Sequence, residues 1–533
     1  MHSQTRNDGA IAQLVEQRTE NPCVPGSIPG GTTIKNSSYF GNCFFYYYIC
    51  PRNNFISIIK MKKIAFIVSF LFAFILSSQA QQAKYVFYFI GDGMGVNQIV
   101  ATEMYQSELK GEIGVTPLLF TQFPYATMAY TYSATNGVTD SAAGGTALAT
   151  GHKTQNGVVG VTKDLLEVTS VAAWAKTNGY RVGVSTSVSV DHATPASFYA
   201  HQKSRSDYYQ IGLDLIESNY DFYAGSDFMD ATNQKAKDGK TYDNLYDLAS
   251  KAGFTLARGY KDYQKKAKKA NKMILFQPEA ASAKDKSSIP YAIDRQKGDM
   301  TLSEITRAGI NFLTKNNDKG FFLMIEGGKI DWAAHANDGA TMLSEIQDLN
   351  EAVKVAYEFY EQHPDETLIV ITADHDTGGL SLGIGSYYLN LQALKSQKVS
   401  DSGFTTILNN LRKKYKNQVP WEAVQQALKD NFGFWTNNPL DEKQEARLKA
   451  VYEKSFGNQP IDLEKSEYQQ NEPLAGEAKR ILNHIARLGW ASGDHSAGFV
   501  PVFAIGANAQ LFQGILNNTE IPLKIAEAAG YTY

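Results

Sequence analysis

Ser141 stands at the start of a run of small residues that predicts a tightly packed helix ending at Gly151. The first turn of a helix presents unpaired backbone N–H groups and the positive end of the helix dipole. That position suits an anion such as phosphate, and it favours a serine that must lose its proton to act as a nucleophile. Capping of the helix by Thr139, Asp140 or Ser141 is the structural alternative. The stretch therefore predicts either an ordinary helix cap or a nucleophile.

Acidic and histidine side chains recur at spacings that suit a metal ion. Asp331 and His335 are four residues apart, so they share one face of a helix, although many polar surface pairs have the same spacing. Asp374 and His375 directly follow an apolar run, and His495 lies in a glycine-flanked loop. Because ligands gather at the ends of buried strands, these positions favour a metal site over a purely structural role.

Five motifs, in this order along the chain, resemble those of the alkaline phosphatase family. They are Gly91-Asp-Gly-Met-Gly95, Thr139-Asp-Ser-Ala-Ala143, Glu326 with Asp331 and His335, Thr372-Ala-Asp-His375, and Gly493-Asp-His-Ser-Ala-Gly498. The resemblance extends over nearly the whole chain after the N-terminal region. It implies a phosphomonoesterase that binds two zinc ions and one magnesium ion and forms a phosphoserine intermediate on Ser141.

The metal ligands that the resemblance implies fall into three sets. The first zinc ion would be held by Asp331, His335 and His495. The second zinc ion would be held by Asp92, Asp374 and His375. The magnesium ion would be held by Asp92, Thr194 and Glu326. Carboxylate and neutral imidazole donors suit zinc, and an all-oxygen set completed by water suits magnesium.

Four further residues complete the site that the resemblance implies. Arg205 would bind the phosphoryl group through its planar guanidinium, and Asp140 would orient Arg205 through a charge-assisted hydrogen bond. His192 and Trp332 stand where the best-known bacterial members carry Asp and Lys, a combination that resembles marine and cold-adapted bacterial members. His192 could equally be a structural histidine, because the role of an imidazole depends on its neighbours.

Short apolar runs alternate with helical patterns along the chain. The runs cover residues 86–90, 180–185, 320–325, 367–373 and 499–505. The helical patterns begin at about residue 97 and recur over residues 166–178, 207–218, 302–314 and 342–362. This alternation indicates an open α/β sheet covered by helices on both faces. With the resemblance, we expect a three-layer αβα sandwich around a large mixed, mostly parallel central sheet.

Two segments depart from this alternation. Residues from about 381 to 483 are mostly helical and charged, which predicts an insertion that forms a lid or a crown-like, partner-facing cap. Residues 1–60 are interpreted as a misassigned start, and residues 61–80 have the pattern of a signal peptide. The apolar core of that pattern, about 13 residues, is shorter than a bilayer span requires, although an uncleaved anchor is the alternative. The enzyme domain is expected to cover residues 81–533.

Composition narrows the possible partners. From residue 81 onward the net charge is about −7, and no cysteine remains. An acidic exported protein binds nucleic acid poorly, since affinity for phosphate backbones needs clustered bases. Without thiolates, any zinc must be held by His, Asp and Glu. We therefore expect a periplasmic or secreted enzyme for small phosphomonoesters, without nucleic-acid specificity or a stable membrane span after signal cleavage. The resemblance also implies that the enzyme is a homodimer.

Two other function classes stay open at this stage. A phosphodiesterase or sulfatase of the same superfamily is the first, but Ser141 lacks the Pro-x-Arg context of a sulfatase nucleophile. A diesterase preference would be expected to replace Arg205 or the magnesium set, and neither is replaced. The second is a zinc-dependent surface protein that has lost turnover, which would have little reason to retain Ser141 together with six zinc ligands.

Overall fold

Continuous apolar runs form the inner strands, as expected of strands that are buried on both faces. The computed structural model describes residues 82–457 and 461–533, so the extension and the signal-peptide pattern predicted before residue 81 lie outside the described residues. The strands are β1 (Tyr85–Gly91), β2 (Tyr125–Tyr130), β3 (Arg181–Thr186), β4 (Phe222–Gly225), β5 (Phe254–Arg258), β6 (Lys272–Phe276), β7 (Phe321–Gly327), β8 (Thr367–Thr372), β9 (Asp376–Thr377), β10 (Leu380–Leu382), β11 (Glu464–Lys465), β12 (Gln470–Asn471), β13 (Leu488–Trp490), β14 (His495–Ser496), β15 (Val500–Gly506) and β16 (Leu516–Asn517).

Ten of these strands form one sheet, in the order β16-β2-β15-β8-β1-β7-β3-β4-β6-β5. Strand β15 runs antiparallel to both of its neighbours, and every other neighbouring pair is parallel. The strands β1, β7 and β8 at the centre are buried along their whole length. The sheet is therefore mixed and mostly parallel, as expected.

Helices cover this sheet and form most of the predicted insertion. They are α1 (Val96–Leu109), α2 (Ser141–Thr150), α3 (Val171–Thr177), α4 (Ala193–Ala196), α5 (Tyr208–Ser218), α6 (Leu245–Lys251), α7 (Tyr260–Lys266), α8 (Glu279–Ser282), α9 (Leu302–Leu313), α10 (Lys329–His335), α11 (Gly339–Tyr360), α12 (Asp401–Lys414), α13 (Trp421–Phe432), α14 (Glu442–Ser455), α15 (Pro473–Ala486) and α16 (Glu520–Ala529). No helix of the described part of the chain is long and apolar enough to cross a membrane.

The five apolar runs are strands, as predicted, and lie in β1, β3, β7, β8 and β15. The helix predicted over residues 166–178 is wrong at its start. Helix α3 begins only after Ser170, whose hydroxyl accepts a hydrogen bond from the amide of Ala173 and so caps it. The preceding residues form a turn in which the amide of Thr162 donates to the carbonyl of Leu166. The apolar spacing of residues 166–170 suggested that the helix begins earlier, but the capping hydroxyl of Ser170 determines where it begins.

The predicted insertion leaves the core after β10 and returns at β13. These two strands pair antiparallel, Leu380 opposite Trp490 and Leu382 opposite Leu488, and so close the base of the segment. Between them lie helices α12 to α15 and the short hairpin of β11 and β12. This pairing holds the two ends of the insertion together.

Helix α2 is buried at all ten of its positions, and its two glycines allow its backbone to pack closely against neighbouring segments. A Cβ added at Gly144 would lie 2.9 Å from the carbonyl oxygen of Asp374. At Gly145 it would lie 2.9 Å from Ser197 Oγ and 3.2 Å from Thr194 Cα. The small residues therefore let the helix backbone approach two segments that carry predicted metal ligands.

We expect Gly144→Val to lower the free energy of unfolding by about 1–3 kcal/mol, the usual cost of overpacking a tight core. The added side chain must displace the backbone of Asp374, so bound metal should fall as well. Denaturant unfolding and metal analysis measure both effects. Gly137→Val is the matched control, because a Cβ at Gly137 meets nothing within 4 Å. Equal losses in the two variants would contradict this account of α2.

Candidate active site

Three neighbouring strands carry carboxylates at their carboxyl ends. Strands β8, β1 and β7 are adjacent and parallel, so they end at the same edge of the sheet. Asp92 directly follows β1, Asp374 lies two residues beyond β8, and Glu326 is the penultimate residue of β7. All three side chains are fully buried. Negative charge is therefore concentrated where open α/β sheets bind their ligands.

Ser141 opens helix α2, but it is not the residue that caps this helix. Asp140 is the cap, since its Oδ1 accepts a hydrogen bond of 2.9 Å from the amide of Ala143. The hydroxyl of Ser141 is fully buried and lies 3.2 Å from His375 Nε2. Asp140 is thus the one of the three possible capping residues that makes the cap, and Ser141 faces the cluster of polar side chains.

Asp331, His335 and His495 form the first cluster of metal-ligating side chains. His335 Nε2 lies 3.4 Å from Asp331 Oδ2 and 3.0 Å from His495 Nε2. Each imidazole donates through Nδ1 to a backbone carbonyl, at 2.6 Å to Gly493 and at 2.8 Å to Thr139. These hydrogen bonds fix the tautomers and direct both Nε2 atoms into the cluster, as in metal-binding histidines generally.

Asp92, Asp374 and His375 form the second cluster. His375 Nε2 lies 3.3 Å from Asp92 Oδ1 and 3.4 Å from Asp374 Oδ2. The imidazoles of His375 and His495 stack with their centroids 3.6 Å apart, so the two clusters lie side by side. Gly93 lets the loop after β1 approach helix α10, since it has a φ of +70° and a Cβ there would meet Asp331 Cα at 2.8 Å.

The third cluster consists of Asp92, His192 and Glu326. His192 is therefore beside the predicted magnesium position, which the resemblance had assigned to Asp92, Thr194 and Glu326. Thr194 lies close by, with its Oγ1 3.5 Å from Asp374 Oδ2. One oxygen of Glu326 accepts a short hydrogen bond from Thr186. The structure thus brings both His192 and Thr194 to this position.

The carboxylates of the three clusters fit divalent cations. Within the three clusters, four buried carboxylate oxygens lack a hydrogen-bond donor, namely Asp92 Oδ1, Asp92 Oδ2, Glu326 Oε1 and Asp331 Oδ2. Burial, reinforced by repulsion between the carboxylates, raises the pKa of Asp92 and Asp374 well above the usual range. Burial raises the pKa of Glu326 to about 7. Buried anions without partners are costly, and cations held by carboxylate and imidazole donors would remove that cost.

Arg205 extends towards these clusters from the loop before α5. Its Nη1 donates to Asp140 Oδ2 at 3.1 Å, and its Nη2 lies 3.5 Å from His192 Nε2. Burial alone would lower the pKa of Arg205, but Tyr468 and the nearby carboxylates outweigh it and hold this pKa above its usual value. Burial and the Arg205 charge lower the pKa of His192, which keeps its imidazole neutral. The site thus presents one fixed cation beside a neutral histidine.

Two site residues were missed by the sequence analysis, Glu467 and Tyr468. The hydroxyl of Tyr468 accepts a hydrogen bond of 2.9 Å from Arg205 Nη2, and its ring stacks on Trp332 with centroids 4.6 Å apart. Glu467 Oε2 lies 3.2 Å from His335 Nε2. Both come from the hairpin of the insertion, which carries no motif, so nothing in the local sequence could have identified them.

Comparisons with known proteins agree with this geometry. The family model described as "Alkaline phosphatase" matches residues 83–531. "Alkaline phosphatase 3" of Bacillus subtilis (strain 168) is 30% identical over 456 residues, which cover 84% of this chain and 90% of that protein.

Solved structures give the same family. A cold-active alkaline phosphatase from a psychrophilic Shewanella species is 28% identical with a TM-score of 0.68, covering 84% of this chain and 99% of that one. The alkaline phosphatase of the Antarctic bacterium TAB5 is 27% identical with a TM-score of 0.58, covering 85% and 100%. The resemblance to cold-adapted members is thereby confirmed. The family model over residues 83–531 and the Bacillus relative show that this chain, with three clusters of side chains able to hold a metal ion, belongs to the alkaline phosphatase family of hydrolases.

Proposed function

We propose that this enzyme hydrolyses phosphate monoesters to an alcohol and inorganic phosphate through a phosphoserine intermediate on Ser141. One observation carries the proposal. The buried Ser141 hydroxyl at the start of α2 lies 3.2 Å from His375 Nε2, beside two stacked clusters of metal ligands. A hydroxyl held there meets both a helix N-terminus and a site for cations, the two features that favour a nucleophilic alkoxide.

The three clusters would hold two zinc ions and one magnesium ion. The first two clusters combine carboxylates with imidazoles, which suits zinc. The oxygen-rich position around Asp92, Glu326 and Thr194 suits magnesium, with His192 beside it. A variant of the TAB5 alkaline phosphatase has been solved with magnesium in its M3 site, which supports a third metal here. When bound, such ions lower the pKa of a coordinated hydroxyl and stabilise a departing oxygen.

The protein's own groups would carry both half-reactions. In the first, Ser141 Oγ attacks phosphorus as its hydroxyl proton is lost, the bond from phosphorus to the ester oxygen breaks, and that oxygen takes up a proton and leaves as the alcohol on the opposite side. In the second, a water oxygen attacks the phosphoserine and gives up a proton, the bond from phosphorus to Ser141 Oγ breaks, Ser141 regains its hydroxyl proton, and inorganic phosphate is released. Arg205 donates hydrogen bonds to the phosphoryl oxygens in both steps, because its planar fork matches two of them. Asp140 keeps that fork in place.

The charge of the site favours monoesters over diesters and sulfate esters. A monoester dianion carries one more negative charge than either alternative, and Arg205 with the proposed cations would stabilise it better. The test uses p-nitrophenyl phosphate, bis(p-nitrophenyl) phosphate and p-nitrophenyl sulfate, which share one leaving group. We expect kcat/KM for the monoester to exceed the other two by at least about 100-fold, a difference of about 3 kcal/mol. Equal turnover of the diester would contradict the proposal, and absence of turnover with all three would favour the non-catalytic alternative.

Export and dimerisation belong to the same proposal. The signal-peptide pattern of residues 61–80 supports a periplasmic or secreted location. The family resemblance supports a homodimer. Strand β2 and the residues just after it leave three large hydrophobic side chains exposed in the single chain, namely Met128, Tyr130 and Tyr132. A partner surface would cover such residues. Light scattering on the purified protein measures the mass of the assembly.

A further inference from the structure

The hairpin of the insertion reaches directly into the active site. Strands β11 and β12 pair through Glu464 with Asn471 and Lys465 with Gln470, and the residues between them form the tip. Arg480 binds the carboxylate of Glu464 through two hydrogen bonds of 2.9 Å each. The hydroxyl of Ser402 donates to Gln469 Oε1 at 2.8 Å. The tip is therefore anchored on helices α12 and α15 of the insertion itself.

Tyr468 at this tip contacts four residues of the site. Its hydroxyl accepts the hydrogen bond from Arg205 Nη2 at 2.9 Å. Its ring lies nearly parallel to Trp332, with an interplanar angle of 12° and centroids 4.6 Å apart. The same ring meets His192 and His335 edge-on, with centroids 5.6 Å apart in both cases. One side chain of the insertion thus spans the distance from the arginine to the first metal cluster.

We propose that Tyr468 is a positioning residue for phosphoryl recognition, because its hydroxyl holds Arg205 and its ring holds Trp332. This inference rests on the proposed function of the site. Asp140 fixes Nη1 of Arg205 at 3.1 Å, and Tyr468 fixes Nη2 at 2.9 Å, so the guanidinium is held at both ends of its fork. Each of these nitrogens carries a second N–H group, which can be directed at phosphoryl oxygens.

The contact with Tyr468 pre-organises the Arg205 side chain for anion binding. A free arginine side chain has many rotamers, and binding an anion requires that all but one be given up. Without Tyr468, the nearest acceptor of Nη2 among the described residues is His192 Nε2 at 3.5 Å, which is at the limit of a hydrogen bond. The insertion therefore supplies the second fixed point of a clamp whose first point, Asp140, belongs to the core.

The test compares Tyr468→Phe with the wild-type enzyme. The variant keeps the ring and its stacking on Trp332 and removes only the hydroxyl that accepts from Arg205. We expect kcat/KM for p-nitrophenyl phosphate to fall about 10-fold, mainly through KM, and the dissociation constant of inorganic phosphate to rise by a similar factor. The melting temperature should stay within about 2 °C. Tyr388→Phe, an exposed tyrosine of the same insertion, is the matched control and should change neither constant.

A double-mutant cycle separates positioning from a general structural role. If Tyr468 acts through Arg205, Tyr468→Phe should have almost no further effect in an Arg205→Ala background. A full 10-fold loss in that background would overturn the proposal, and so would unchanged kinetics in the single variant. Tighter binding of inorganic phosphate by Tyr468→Phe would also overturn it, because Tyr468 would then compete with the phosphoryl group.

Calorimetric titration with inorganic phosphate keeps this proposal distinct from the proposed function. Should the wild-type enzyme bind phosphate without hydrolysing any of the three esters, the proposed function fails, while the effect of Tyr468→Phe on phosphate binding still tests the clamp. When the wild-type enzyme turns over the monoester and Tyr468→Phe leaves both kinetics and phosphate binding unchanged, only the role of Tyr468 fails.

Discussion

Replacement of Ser141 by alanine is expected to lower kcat for a phosphate monoester by on the order of 10⁴-fold or more, because the variant cannot form the phosphoserine. The substitution removes a single buried oxygen atom and adds no volume, so the fold should tolerate it. Metal content should stay at the wild-type value, since Ser141 is a member of none of the three ligand clusters. Acid quenching during turnover should trap labelled phosphoserine in the wild-type enzyme and none in the variant.

The control for Ser141→Ala is Ser197→Ala, the same chemical change at another buried serine near helix α2. Ser197 Oγ donates to the carbonyl of Ala193 at 2.9 Å, so its loss affects local stability and not the reacting atoms. Its kcat should stay within about two-fold of the wild-type value, as for a removed neutral hydrogen bond outside the site. A Ser141→Ala variant that keeps more than a tenth of wild-type turnover would exclude the phosphoserine route.

The carboxyl edge of the sheet could be predicted because two kinds of signal coincide there. Strands buried on both faces read as continuous apolar runs, and β1 and β8 are such runs. Asp92 follows β1 directly and Asp374 lies two residues beyond β8, so their common position requires only that the two strands be parallel neighbours, and they are. The ligand spacing of Asp331 and His335 is likewise local, since it depends on one helical turn.

The contacts of the insertion could not be predicted, because they join residues far apart in sequence. Tyr468 and Arg205 are separated by 263 positions, and neither the hairpin nor its surroundings contain a recognisable pattern. Which residue caps α2 was also undecidable from sequence, since Thr139, Asp140 and Ser141 are all capable caps. In the structure Asp140 caps α2 through Oδ1, while its Oδ2 accepts from the amide of Gly157 and from Arg205, contacts that only the tertiary fold provides.

His192 shows a limit of a resemblance carried over residue by residue. The resemblance gave the magnesium position to Asp92, Thr194 and Glu326 and left His192 nearby with an open role. In the structure, the ligand atoms of Asp92, His192 and Glu326 lie within 4.8 Å of one another. A nitrogen donor at this position is better suited to zinc than to magnesium. The metal preference of this position therefore depends on whether Thr194 or His192 would complete the set.

Removal of metal by a chelator is expected to abolish turnover and to lower the free energy of unfolding at the same time. The candidate ligands come from six separate segments, namely the loop after β1, the start of α4, strand β7, helix α10, the segment after β8, and strand β14. A cation bound only in the native state links them, and each site contributes about 4 kcal/mol when the free ion exceeds its dissociation constant 1,000-fold. Re-addition of zinc and magnesium should restore both properties.

A single-ligand variant separates the two proposed zinc sites. His335→Ala should lower the zinc content by about one ion per chain and reduce the melting temperature, since its Nε2 faces Asp331 and His495 in the first cluster. His484→Ala, an exposed histidine of helix α15, is the matched control and should keep both values. If metal-free protein unfolded at the same temperature as the loaded enzyme, the buried carboxylates would need another source of compensation. Within the three clusters four carboxylate oxygens have no hydrogen-bond donor, and this is why bound cations are expected to supply that compensation.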